Sequence, residues 1–251
     1  STNCVPPGKR VSQTTATSPS LTAHVRSEIF VLPLDDSHAG LERVGGKGAS
    51  LAKLAVARLP VRGGFHVTTD AYRSFVEAND LEVVIEHTLE TIDPDRPATL
   101  EDASRTIRQA FVEGTIPAHV ATAIAEAYHD LPGTDPSVAV RSSATAEDLP
   151  EASFAGQLES YLDVSGDAQV LDATKQCWGS LWTARAIGYR NRQGIGHGGA
   201  AVGVVVQQAA FAAGRYQEVK YQLGQLLKRY PKHLPAIELL GEAQFALEGS
   251  G

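Results

Sequence analysis

No stretch of this sequence approaches the roughly 18 uninterrupted apolar residues that a membrane span requires. The most apolar segment, Ala200 to Ala213, is broken by Gly203 and by Gln207 and Gln208. No basic segment followed by an apolar core opens the chain, so a secretory leader is not expected. Basic residues are outnumbered, 22 against 29 acidic ones, and the formal charge is −7. Nucleic acid is therefore not expected as a partner, since neutralising phosphates needs a basic excess or a dense basic stripe. Small anions stay open, because a local pocket can oppose the overall sign. Cysteine occurs only twice, at Cys4 and Cys177. That count excludes a disulfide framework and a zinc spacing, and makes a reducing cytoplasm the simplest compartment. Methionine is absent altogether, which by itself selects no function.

What is present is enough apolar mass for a real core: 43% of 251 residues are hydrophobic. That length allows one large domain or two modest ones. Residues 1–28 are rich in Ser, Thr and Pro, lack apolar periodicity, and read as a flexible arm. Ile29-Phe30-Val31-Leu32 is a short β-type run. A helical pattern follows the Gly45-Gly46-Lys47-Gly48 segment, from Ala49 to about Ala57. Leu59 to Val61 and Phe65 to Thr69 read as strand-like, and Thr69 or Asp70 can cap a helix through Tyr72 and Phe75. Further helices are predicted over Thr99 to Glu113, Pro117 to Tyr128 and Ala168 to Tyr189. Strands are predicted at Ser137 to Arg141, Tyr161 to Val164 and Val202 to Val206. Strands and helices alternate without a strict βαβ rhythm, which leaves α+β and α/β both open.

Two segments carry phosphate chemistry. Glycines before a helix let the backbone approach a phosphate, the helix start presents free N–H groups, and Lys47 adds a mobile positive charge. The Gly45 to Gly48 spacing matches neither the Walker nor the dinucleotide pattern, and a tight turn with a surface lysine competes with the phosphate reading. The second segment is Ala139 to Gln157, in which Arg141 ends a strand and enters a long loop of Ser and Thr hydroxyls. An arginine there can grip an anion in bidentate fashion while hydroxyls and amides complete the nest. A solvated loop is the alternative. The eight histidines read as surface or turn residues.

Four pieces, VGGKGASLAKL, LPVRGGFHVTTDAY, AVRSSATAEDLPEASFAGQLESYL and CWGSLWTARAIGYR, resemble in order and spacing one superfamily's nucleotide-binding domain. It is the superfamily of phosphoenolpyruvate synthase, pyruvate phosphate dikinase and rifampin phosphotransferase, and the resemblance covers residues 29–208. It implies an ATP-grasp fold with ATP held between two subdomains. It implies that Lys47 and Arg141 contact ATP phosphates, that Gly156 and Ser160 lie in or after the covering loop, and that Gln207 reaches the nucleotide. The cofactors it implies are ATP and Mg²⁺. The implied activity is that of a kinase: ATP is split to AMP and phosphate, and a phosphoryl group passes by way of a histidine on a swivelling domain. The acceptor it implies is a small molecule, pyruvate or an antibiotic hydroxyl, the latter giving antibiotic resistance. Arg62 stands where the family carries proline.

Beyond Gln208 the sequence changes character. The expected second subdomain with its acidic metal ligands does not follow, and no phosphohistidine motif is present, so no residue is assigned a catalytic or metal-ligating role. Residues 209–251 read as a short helical hairpin, and Gly214, Tyr216, Pro231, Leu240 and Gly241 keep a tetratricopeptide-like register. Its apolar stripes predict self-association through residues 214–249. A non-catalytic interaction protein with a docking tail is the alternative to an ATP-binding lobe. The fold class expected is α+β, an incomplete ATP-grasp lobe over 29–208 with this tail.

Overall fold

A computed structural model describes residues 29–145, apart from 60, 94 and 95, then 159–208, and scattered positions between 224 and 237. The arm at 1–28, Gly156 and most of the tail, with its proposed repeat, lie outside the described residues. The described part is α+β. Its strands are β1 (Val31–Pro33), β2 (Gly64–Val67), β3 (Val138–Ala144), β4 (Ser160–Val164) and β5 (Val202–Gln208). They form one sheet in the order β1-β2-β5-β3-β4, and every neighbouring pair is antiparallel. The helices are α1 (Leu41–Val56), α2 (Thr69–Ala78), α3 (Leu81–Glu90), α4 (Pro97–Glu113), α5 (Ala118–His129), α6 (Asp167–Gly179) and α7 (Ala184–Gln193). Among the described residues no helix is long and apolar enough to cross a membrane.

The sheet divides its side chains between two layers, because successive residues of a strand point to opposite faces. Phe65 and Val67, Val138 and Val140, and Val202, Val204 and Val206 point to one face. There they join Phe75, Ile107, Phe111, Ile124, Tyr128, Trp178 and Ile187 from the helices in the main core. The other face carries Leu32, His66, Gly203, Val205 and Arg141, and among the described helices α1 covers part of it. Leu51 packs on Val205 and Leu34, while Val44, Ala49 and Ala52 pack on Leu32. β5 is a central strand, with Val202, Val204 and Val206 buried on one face and Val205 on the other, which is why it reads as an apolar run without alternation.

Several boundaries differ from the sequence expectation for local reasons. The Leu59 to Val61 piece is no strand: Leu59 turns back onto α1, its N–H donating to the Leu54 carbonyl at 3.0 Å. Helix α2 is capped by Thr68, not Thr69 or Asp70; the Thr68 hydroxyl accepts from the Ala71 N–H at 3.5 Å. The single helix expected from Ala168 to Tyr189 is two helices joined by a 3₁₀ turn, Ser180–Trp182. The chain straightens at Thr183 (ψ 149°), whose hydroxyl accepts from the Ala186 N–H and starts α7. β3 runs on past Arg141 to Ala144, so Ser142 and Ser143 belong to the strand and not to the loop.

Candidate nucleotide-binding face

The second sheet face, where α1 does not cover it, gathers most of the residues expected to meet ATP. Register shows how. Arg141 pairs with Ser160 on β4 and with Val205 on β5, and Val205 pairs with His66 on β2. Directly paired residues of neighbouring strands project to the same side. Arg141 and Ser160 therefore stand together at the β3–β4 end of the face. Gln207 pairs with Ala139 on β3 and Gly64 on β2, one step along from that row and on the same side. Ser160 is exposed, while Arg141 and Gln207 are half-buried. Gly156 lies outside the described residues.

The helix segment that carries Lys47 is set against this face by a break in α1. Gly45 sits at φ 72° and ψ 176°, outside any helical conformation, so the helix that carries Lys47 starts afresh after it. A left-handed φ of this kind favours glycine over any residue with a Cβ. Space decides the matter further: a Cβ on Gly45 would lie 2.0 Å from the Ser143 carbonyl oxygen. The new helix start is pinned to the sheet by the Gly48 N–H, which donates to the Ser143 hydroxyl at 3.0 Å in a buried bond. Gly203 on β5 completes the fit, since a Cβ there would lie 2.8 Å from the Val44 carbonyl oxygen. The glycine segment thus does two things. It lets α1 sit directly on β3 and β5, and it leaves a helix start, with its partial positive charge, at Lys47.

The buried Cys177 thiol on α6 is pushed up in pKa, first by burial and then by the charge of Glu159, while Lys47 pulls it down. Cys177 itself is fully buried and has the character of a core side chain. Arg62 is exposed, and it leads into Gly63 and Gly64, of which Gly63 accepts from the Gln208 N–H at 2.9 Å and Gly64 pairs with Gln207.

His66 corrects the expectation that the histidines are surface or turn residues. It is wholly buried in β2, between Leu32 and Val205 in register and under α1. A Cβ on Gly48 would lie 3.2 Å from its Nδ1. Neither ring nitrogen reaches hydrogen-bond geometry with a partner among the described residues. Burial lowers its pKa to about 4, against an opposing pull from the Leu34 backbone and the Asp36 charge. Nothing in the local sequence betrays this, because pairing with β1 and β5 is what encloses the ring. Ser143, expected as one hydroxyl among several in a polar loop, is instead a strand residue whose hydroxyl holds α1 to the sheet.

As to a metal, no group of three or more His, Cys, Asp or Glu able to hold an ion occurs among the described residues. Among the described residues, the donors expected at the site are cationic, hydroxyl and amide groups, a set that suits phosphate oxygens.

Comparison with known proteins follows this geometry. Residues 41–217 match the pyruvate phosphate dikinase AMP/ATP-binding domain. Over 186 residues the chain is 49% identical to a phosphoenolpyruvate synthase of Aeropyrum pernix, an alignment covering 71% of this chain and 23% of that protein. It is 44% identical over 184 residues to a probable phosphoenolpyruvate synthase of Methanocaldococcus jannaschii, covering 71% and 16%. A phosphoenolpyruvate synthase of Deinococcus radiodurans is 44% identical over 172 residues, covering 67% and 22%. The chain therefore spans less than a quarter of the length of these relatives.

Proposed function

The chain belongs to the family of the pyruvate phosphate dikinase AMP/ATP-binding domain, and from that premise we propose that the sheet face around Arg141 holds the phosphates of ATP for a phosphoryl transfer. ATP binding is the family's property, and the lobe is of the ATP-grasp type. In this reading Arg141 grips phosphate oxygens with its guanidinium fork, Lys47 adds a point charge, and Ser160 and Gln207 supply hydroxyl and amide contacts. Gly156 follows as a backbone contact in the covering segment. The observation that carries the reading is the pairing of Arg141 with Ser160 on the open face, beside the helix start that bears Lys47.

The chemistry served is a stepwise transfer in which ATP gives up a phosphoryl group to a histidine on a separate domain and then to a small acceptor. The names of the relatives favour pyruvate; a rifamycin-type hydroxyl is the other acceptor to test. Magnesium suits the triphosphate and would arrive on it, since the described side chains offer it no ligand cluster. What the chain's own residues do is bind and orient: fixed cations and hydroxyls hold the phosphates where charge develops, without reorganising at the moment of transfer. Calorimetry with MgATP tests the reading. Binding by the wild type that is lost in Arg141→Ala and Lys47→Ala supports it. Equal affinity in all three proteins would overturn it.

A further inference from the structure

Glu159 works on both faces of the sheet at once. Its carbonyl accepts from the Ser142 N–H at 3.2 Å and from the Ser142 hydroxyl at 3.2 Å, closing the chain where residues 143–158 leave and return. The next residue, Ser160, pairs with Arg141 on the open face. Alternation then turns the Glu159 carboxylate to the opposite, helical side. There Arg108 of α4 donates from Nη2 to Oε1 at 2.5 Å, and the Tyr161 hydroxyl donates to Oε2. Arg108 also lines a cleft of about 390 Å³ between α4 and α6, with Glu101, Ser104 and Lys175. Its guanidinium reaches Glu159 from the solvent side, and the two side chains are 40% and 29% exposed.

We propose that Arg108 is a positioning residue for the phosphate face, acting through Glu159. By fixing the carboxylate from behind the sheet it fixes the Glu159 backbone. That backbone in turn holds Ser142 on one side, and it precedes Ser160 on the other. Arg141 lies between Ser142 in sequence and Ser160 in register, so its place on the face is set by the same clasp. A partly exposed ion pair of this kind adds little to global stability. Its value is geometric: a shift of about 1 Å at a phosphate contact is costly for binding and transfer. The inference rests on the ATP reading given above for its consequence, but not for the clasp itself.

The test uses the full chain and separates the two. Native-state amide exchange, without nucleotide, is followed for wild type, Arg108→Gln, Arg108→Lys, Glu159→Gln and the double Arg108→Gln/Glu159→Gln variant. The expected result is exchange at the Ser142 amide about tenfold faster in Arg108→Gln, with core amides of β5 unchanged. Arg108→Lys should recover part of that protection. The double variant should be no worse than Glu159→Gln alone, because the two residues act as one unit. In calorimetry the Kd for MgATP should rise in Arg108→Gln and recover in Arg108→Lys, at unchanged melting temperature. Unchanged Ser142 exchange, a uniform rise across the chain, or a local rise with unchanged Kd would each overturn the proposal. A wild type that binds no ATP would end the ATP reading, and the exchange data alone would then decide the clasp.

Discussion

The Gly48 amide and the Ser143 hydroxyl, 95 positions apart in sequence, share a buried hydrogen bond of 3.0 Å that fastens the start of a helix to the middle of the sheet. Ser143→Ala leaves that amide without its partner in a dry place. Orphaning a buried donor costs about 1–3 kcal/mol. Urea unfolding should show that loss as a lower midpoint at unchanged slope. A midpoint equal to wild type would mean that the bond contributes nothing.

Gly45→Ala should be worse. It combines a left-handed φ of 72° with a Cβ placed 2.0 Å from the Ser143 carbonyl oxygen. Clash and backbone strain together put the variant in the exceptional class, above about 4 kcal/mol. We expect little soluble protein, and a soluble variant with wild-type melting would refute the packing described here.

Arg141→Ala should separate binding from folding. Loss of a charge-assisted contact of about 1.5–3 kcal/mol weakens binding roughly tenfold to a hundredfold. The melting temperature without nucleotide should move less than in Ser143→Ala, and the rise in melting temperature on adding MgATP should shrink. A variant that keeps the full ligand-induced rise would remove Arg141 from the site.

Acid should loosen the fold through His66. Its folded pKa of about 4 lies below the ordinary 6.5, so between these values the unfolded chain binds more protons than the folded one. Stability is then fully present above pH 6.5 and is lost as pH falls toward 4, by on the order of 3 kcal/mol for a shift of this size. His197 adds in the same direction, since burial and then Arg190 lower its pKa. Denaturant titrations of wild type and His66→Val at a series of pH values should show a flatter acid limb in the variant. Parallel limbs would sink the assignment.

Thr183→Ala tests the split between α6 and α7. The lost cap should cost about 1 kcal/mol. Thr183→Ser, which keeps the hydroxyl, should be near wild type. Equal stability of all three would mean that packing alone breaks the helix there.

Much of the sheet was legible because its strands are short apolar runs bounded by turn residues, and because β5 is buried on both faces. α3 was not, since Val83, Val84 and Ile85 form a β-branched run and no side chain caps the helix at Asp80. The break at Thr183 was hidden by a helical period that continues across it. At the site, Lys47 and Arg141 stood out as charges beside small residues. Ser143, Glu159 and Arg108 did not, because their roles depend on pairings 17, 51 and 95 positions apart. His66 is the sharpest case: the same side chain in an edge strand would be wet.

The two tryptophans, Trp178 and Trp182, are both buried under the helical side of the sheet. Trp182 donates to the Tyr72 hydroxyl at 3.1 Å, and the Trp178 ring lies tilted against Phe75 with centroids 4.9 Å apart. The sheet itself stands between these indoles and the face that carries Arg141. Intrinsic emission is therefore a gauge of whether the chain is folded and is blind to what rests on the other side. Titrations of nucleotide need a reporter of their own, and a silent tryptophan signal says nothing against occupancy.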